Sequence, residues 1–343
     1  MAIMWSSYVP PADLTSFARA VPVNQQYILD QILPNRVGEV LEANFAESVV
    51  TTRAASARAW DAPPLPGQRD TFQTSTVKLP AVSQFLARGE RDRLELERQR
   101  LGGTAVAAIE QAIFDDTENN VRSVQARVEM MRGDLLADGI ITLAEMGNMT
   151  ADFGVPGTNK VTASTLWTNT ATADPLADMR AWNKVYRAAN GFNFGGMVMS
   201  EDTLYNLAAN TTMRQLWANV SGTPAHLTQD QVSSTLQSFR LPPVKFTYDA
   251  QTVSGGSTVN ILPANAVIFL PPDGIELGYT QWGMTATALE LANANVQVDG
   301  GPAGIVAVVD KDVRPPYREA SYVDATVMPI LSRPRGLFVA TVA

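Results

Sequence analysis

The residues Val106, Ile109, Ile113, Thr117, Val121, Val124, Val128, Met131 and Leu135 follow one another at steps of 3, 4, 4, 4, 3, 4, 3 and 4. That rhythm keeps one face of an α-helix turned toward a single surface. Thr104 is placed to cap the start, and Asp138-Gly139-Ile140 reads as the stop, with glycine just past the last turn and an apolar residue behind it. From Ala105 to Asp138 such a helix runs about 50 Å at 1.5 Å per residue. This is several times the usual globular length, so a coiled coil competes with a single helix. The surroundings favour the single helix: strand-like and turn-like segments lie on both sides, and the opposite face, with Asp115, Asp116, Glu118, Arg122 and Arg127, is polar. The pattern therefore predicts one long helix laid across a sheet. Gly133 inside it costs about 1 kcal/mol relative to alanine and offers a place to bend.

Composition bounds the chemistry. The chain has 343 residues, no cysteine and one histidine. Disulfides, thiolate catalysis and cysteine-ligated zinc or iron-sulfur sites are excluded, as is a two-histidine metal motif within one chain. Length predicts about two domains. Met1 to Pro10 lacks a basic segment ahead of an apolar one, and no apolar run reaches the ~18 residues of a spanning helix. The expectation is a cytosolic product. With 34 acidic against 26 basic residues, a dedicated nucleic-acid binder is disfavoured, since its affinity comes from cations neutralising phosphates. A surface that merely faces DNA stays open. Only Lys78, Lys160, Lys184, Lys245 and Lys311 are lysines. The arginine excess suits fixed inter-subunit pairing, and a GC-rich coding bias explains it equally well.

Along the chain, prolines 10, 11, 22 and 34 punctuate an N-terminal segment that has room for a short helix from Pro11 to Ala20 and no core of its own. Tyr27, Ile28, Ile32 and Leu33 form a patch that must pack on something else. Ser48 to Arg58 and Thr71 to Leu79 have strand composition on either side of Trp60-Asp61-Ala62-Pro63-Pro64-Leu65-Pro66-Gly67, which predicts a long β-hairpin with an apolar tip. An isolated two-stranded ribbon is marginal in water, so the hairpin either lies on another molecule or folds back on its own domain. Eight of the eleven residues from Glu90 to Arg100 are charged, which reads as a solvated helix.

Past the long helix, Asp152 to Asn159 is a turn-rich connector. Asp174-Pro175 opens a helix with Leu176, Met179, Trp182, Val185 and Tyr186 on one side. A strand at Gly196–Ser200 precedes a helix over Glu201–Ala209, and Thr228-Gln229-Asp230-Gln231 is a capping box for another with Val232, Leu236 and Phe239. Val244–Tyr248 and Thr258–Leu262 read as a hairpin around Ser254-Gly255-Gly256-Ser257. The apolar runs Ala266–Leu270 and Ile305–Val309 suit buried central strands, and two more strands close the chain at Val323–Leu331 and Leu337–Val342. Helices and strands without a βαβ rhythm define an α+β fold.

No catalytic constellation emerges. His226 has neither a nucleophile nor an orienting acid at a recognisable spacing and reads as a loop histidine. Phosphate-loop, dinucleotide and nucleophile-elbow motifs are missing from the sequence. Asp310-Lys311-Asp312 and Asp115-Asp116 lack the pattern of a calcium loop and read as solvated acids. Carboxylates paired only in space stay open from sequence. No cofactor and no metal are expected.

The order of these parts resembles the major capsid protein of tailed double-stranded DNA phages, the Hong Kong 97-type fold, and within it the lambda-type major head protein (capsid protein E) family. The residues that carry the resemblance are Leu79-Pro80 after the hairpin, the helix Ala105–Asp138, Leu262-Pro263-Ala264-Asn265 leading into Val267-Ile268-Phe269, Gly278-Tyr279-Thr280, and the closing Tyr317-Arg318-Glu319, Val327-Met328-Pro329-Ile330-Leu331 and Phe338-Val339. The resemblance implies an N-terminal arm at 1–50 and an extended hairpin at 51–88 that reaches over a neighbour. It implies a peripheral domain at 89–181 with spine helix 105–138, an axial domain at 182–304, and a C-terminal return to the peripheral domain at 305–343. The function it implies is an icosahedral shell around phage DNA, built by self-assembly of hexamers and pentamers, with no enzymatic role.

Subunit-interface candidates are then Trp60, Pro63, Pro64, Leu65, Arg69, Arg91 and Arg93. About 50 residues before the hairpin are too few for a fused scaffold, so a separate scaffold protein is implied, with a portal at one vertex, a decoration protein as an open option, packaged double-stranded DNA contacted non-specifically, and no membrane. Lys78 alone, near the hairpin base, speaks against the Lys–Asn cross-linking of some relatives. Assembly in the host cytoplasm into a virion capsid follows. Two alternatives stand beside this: an encapsulin-like nanocompartment of the same fold, and a cytosolic hydrolase with scattered carboxylates.

Overall fold

The structure, a computed structural model, describes residues 9–48, 57, 60, 72–101, 107–218, 224–294, 296, 300–312 and 318–343. The chain enters through α1 (Pro11–Ala20), whose first turn holds Pro11, where a missing N–H costs nothing, and continues to β1 (Asn35–Val37). The hairpin strands β2 (Glu42–Ser48) and β3 (Phe72–Lys78) come next, then β4 (Ala81–Arg88), α2 (Glu90–Leu101) and α3 (Ala107–Asp138). A small hairpin, β5 (Ile140–Leu143) with β6 (Met149–Asp152), precedes β7 (Lys160–Thr162) and α4 (Pro175–Asn190). There follow β8 (Gly196–Met199), α5 (Glu201–Ala209), α6 (Thr211–Trp217), α7 (Gln229–Ser238) and β9 (Val244–Thr247). The rest is β10 (Gln251–Ser254), β11 (Ser257–Asn260), β12 (Ala266–Leu270), β13 (Gly278–Trp282), α8 (Ala286–Asn293), β14 (Val306–Asp312), β15 (Arg318–Leu331) and β16 (Phe338–Thr341).

Local chemistry starts and stops these elements as expected. Asp174 accepts from the Ala177 N–H at the head of α4, and Thr228 and Gln231 form the reciprocal capping box of α7. Gly139, at φ +76°, ends α3 and donates its N–H to Leu135 O. Gly255 and Gly256 take positive φ in the two-residue turn between β10 and β11, the conformation glycine adopts without steric penalty.

Two five-stranded sheets organise the molecule. In the first, β15 is the backbone: β13 and β14 pair with its two halves, β4 pairs along its other side, and β1 runs parallel to β13. α3 lies on this sheet and buries Ile113, Thr117, Val121, Val124, Val128, Met131 and Leu135. The long stripe read from sequence is thus the packed face of the helix; Thr104 and Val106 lie outside the described residues, as does the Ile109 side chain. α1 packs beside it on β14, with the Thr15 hydroxyl donating to Ala307 O at 3.0 Å and Phe17 edge-on to Phe114. The patch around Tyr27 to Leu33 packs on the same core, which also takes Leu29.

The second sheet has the order β7-β16-β12-β8-β9 and is covered on both faces. Ile268, between Val198 and Val339, faces the core that holds α3. Val267 and Phe269, beside Met197, Met199, Phe338 and Ala340, face α4 and its neighbours, where Trp167, Trp182, Tyr186 and Phe194 cluster. Double coverage explains why β12 reads as an unbroken apolar run.

Several expectations change. The hairpin's outgoing strand is Glu42–Ser48, paired from Glu42↔Lys78 to Ser48↔Phe72, so the ribbon starts earlier than Ser48. Its far end lies largely outside the described residues. Residues 81–88, expected within the extended loop, form β4 in the body sheet. Val244–Thr247 is not half of a hairpin: it pairs parallel with β8, and the partner of β11 is Gln251–Ser254. Val185 is exposed on α4 while Leu176, Met179, Trp182 and Tyr186 are buried. β14 stands at the end of the described strand order, not at its centre, and its apolar run is explained by α1 on one side and α8 residues Ala288 and Leu291 near Val306. Strand pairing also crosses the expected chain blocks, since β13 joins the β15 sheet and β16 joins the β12 sheet.

Gly133 has a different role from bending. A Cβ there would stand 2.2 Å from Ile261 O, so glycine lets the helix touch the loop after β11. Gly133→Ala is expected to cost about 3 kcal/mol through overpacking, despite alanine's better helix propensity; a urea midpoint equal to the parent's would refute this.

Candidate assembly interface

One buried polar hub ties the parts that present the surface. Glu129 and Arg132, one turn apart on α3, form an ion pair at 2.9 Å with side chains 1% and 5% exposed. Glu129 Oε1 accepts from the Leu29 N–H at 2.9 Å and from the Tyr248 hydroxyl at 2.8 Å. Arg132 donates through Nε to Thr280 Oγ1 at 2.9 Å and through Nη2 to Asn35 Oδ1 at 2.6 Å. Thr280 in turn donates to Leu33 O, and the Trp282 indole donates to Asn35. The N-terminal segment, α3, β13 and the loop after β9 therefore share one network. Burial pushes the Tyr248 phenol well above the usual tyrosine range, and the adjacent Glu129 carboxylate adds to the shift, so the hydroxyl stays protonated and keeps donating.

From this frame the β2–β3 ribbon departs. The two strands pair only with each other among the described strands. Leu79 N–H binds Leu41 O, Pro80 O accepts from Val327, and the next residues become β4. Arg88 at its end anchors the strand to α3 through Asp116 and Ala112 O. Between β4 and α3 an open groove of about 340 Å³ is lined by Val82, Gln84, Ser123, Arg127, Leu143 and Met146 among others.

Of the expected interface residues, Trp60 is 96% exposed and Arg91 is exposed on α2. Pro63, Pro64, Leu65 and Arg69 lie outside the described residues, as does the Arg93 side chain. The structure adds Phe85, 54% exposed and stacked on Tyr322 at 5.2 Å, and Leu86, 37% exposed. Sequence reading passed over both, although Ala81–Leu86 carries a strand's composition. His226 sits exposed against Tyr205, ring centroids 4.7 Å apart, with no acid or nucleophile in that contact. Among the described residues no cluster of acids and histidine could hold a metal ion, and no helix is long and apolar enough to cross a membrane.

A long spine helix between two sheets, with a two-stranded ribbon thrown out from its root, defines a Hong Kong 97-type shell subunit. Structural comparison agrees. The chain is similar to the crystal structure of a putative prophage capsid protein from E. coli CFT073, with a TM-score of 0.61 at 10% identity, covering 96% of this chain and 97% of that one. It is also similar to a phage-related protein from Bordetella bronchiseptica RB50, with a TM-score of 0.58 at 13% identity, covering 99% and 97%. No curated protein sequence matches the chain. The family model described as phage major capsid protein E matches residues 11–342. The chain belongs to that family: it is a major capsid protein of a phage head.

Breaking the hub should be costly. Arg132→Met strands a buried carboxylate, with an expected loss of about 3–5 kcal/mol. Adding Glu129→Gln removes the stranded charge and should recover part of it in chemical denaturation; a double variant no better than the single one would refute the ion-pair reading.

Proposed function

We propose that copies of this chain build an icosahedral head from hexamers and pentamers, each laying its ribbon over the next subunit so that Trp60 docks on a neighbour. The observation that carries this is a fully exposed tryptophan in the segment that joins β2 to β3, two strands that no other described strand supports, in a family of shell proteins. Burying one such ring is worth about 1.5–3 kcal/mol by area. A single weak contact of that size suffices, because every subunit both gives and receives it and multiplicity stabilises the wall.

In this reading the β15 sheet with α3 forms the peripheral part of the subunit. The β12 sheet with α4–α7 forms the axial part that meets its copies around the five-fold and quasi-six-fold axes. Assembly takes place in the host cytoplasm around a separate scaffold protein, with a portal at one vertex and space for a decoration protein. The net charge of −8 repels phosphates, so packaged DNA is confined by the wall and contacted without sequence preference.

Electron microscopy of the purified protein tests the reading, with closed particles tens of nanometres across expected. Trp60→Ala with Leu65→Ser should lower particle yield and heat resistance while leaving the subunit folded by circular dichroism. Unchanged particles would remove the tip from the interface.

Like-charged subunits should also assemble faster as salt rises from about 0.01 to 0.1 M, when the screening length falls from about 30 to 10 Å. Light scattering that is flat across that range would contradict the electrostatic part.

A further inference from the structure

We propose that the outer edge of β4 receives the β2–β3 ribbon of a second copy of this chain, which adds to the neighbour's β15 sheet as an extra strand. The inference rests on the shell-building reading above and names the surface that takes the ribbon's shaft, as distinct from its tip.

β4 pairs with β15 in unbroken antiparallel register from Ala81↔Thr326 to Arg88↔Glu319. Because Val327 donates to Pro80 O, the even-numbered residues here direct their backbone groups at β15. By the alternation of an antiparallel ladder, Ser83, Phe85 and Ala87 direct theirs at the opposite edge. No described strand pairs there, and Ala81 and every residue from Ser83 to Ala87 are exposed. Proteins that leave such an edge in water blunt it with a charge, a proline or a bulge. β4 has none of these before Arg88, and Arg88 turns inward to α3. It shows Phe85 and Leu86 instead. An undefended apolar edge is built to be paired.

The ribbon is the strand that fits. β2 and β3 are seven residues each against eight in β4, and each keeps one edge without a described partner. A two-stranded ribbon is marginal alone, and a third strand is what it lacks. Its own β4 cannot serve, because only Leu79 and Pro80 separate β3 from β4, and Pro80 O is already committed to Val327. The two strands therefore run on into different sheets. A second copy has no such tether. With the giving and receiving edges side by side on one chain, the contact is heterologous and passes around a ring of subunits.

Two readouts test this. Amide hydrogen exchange compares assembled particles with dissociated subunits: Ser83, Phe85 and Ala87, together with amides along one edge of the ribbon, should slow by roughly tenfold or more on assembly. Gln84 and Leu86, already bonded to β15, should change less. Since the chain carries no cysteine, Ala87→Cys combined with Asn44→Cys or Thr74→Cys should yield disulfide-linked multimers from particles and none from dissociated subunits. Ala87→Pro removes one outward N–H without touching the β15 ladder, so it should fold and fail to assemble. If it does not fold, the exchange experiment decides alone. Particles in which the β4 edge exchanges as fast as in free subunits would overturn the inference and leave the shell reading standing. Protection of β4 without protection of the ribbon would overturn the choice of occupant. A parent protein that never forms particles would overturn both.

Discussion

The Glu129–Arg132 pair is the contact on which the arrangement depends, because it is where segments distant in sequence are held in one geometry. Two charges taken out of water carry a desolvation cost that only complete pairing offsets. Here the carboxylate has Arg132, the Leu29 N–H and the Tyr248 hydroxyl, and the guanidinium has Glu129, Asn35 and Thr280. Apolar packing alone tolerates sliding of a helix along a sheet, whereas this set of partners is satisfied in a single register. The hub thereby sets where the N-terminal segment lies against α3 and where β13 begins, and β13 in turn leads along β15 to the ribbon's root.

A rigid body with weak, repeated outward contacts is what a curved wall needs. α3 is packed into the larger core, to which both sheets contribute, and is touched at Gly133 by the loop after β11. The parts with the fewest described partners are the ribbon and the exposed charged α2, while β4 is held to β15 along its whole length and to α3 through Arg88. In the proposed shell, strong contacts inside each subunit and marginal ones between subunits would let one sequence occupy several slightly different positions without unfolding, the number of contacts making up for the weakness of each.

How much of this could be read beforehand depends on how local each signal is. The stripe from Ile113 to Leu135, the Gly139 stop, the Thr228–Gln231 box and the Gly255-Gly256 turn were legible because each rests on residues a few positions apart. Val244–Tyr248 misled, since its alternation is equally good for a hairpin and for the parallel edge strand it forms beside β8. Of the interface candidates, Trp60 and Arg91 were legible as exposed residues. Phe85 and Leu86 were missed because their exposure follows from β15 pairing on one edge alone. Glu129 and Arg132 went unmarked, because nothing local in the sequence separates them from Glu118 and Arg122, an ion pair on the solvent side of the same helix.

Sequence by itself determined the class of chemistry and the kinds of element: no thiol, a single histidine, an α+β order, a long spine helix and an extended ribbon. Those depend on composition and on short-range periodicity, which a linear chain carries openly. Only the tertiary structure decided that β13 and β16 exchange sheets relative to their chain blocks, that an acid and a base lie buried at the centre, and that β4 pairs along one edge only among the described strands. Each is a matter of which distant segments meet and in what register. That choice is made by the joint burial and hydrogen-bond satisfaction of residues one to three hundred positions apart, such as Thr15 with Ala307, and no local pattern encodes it.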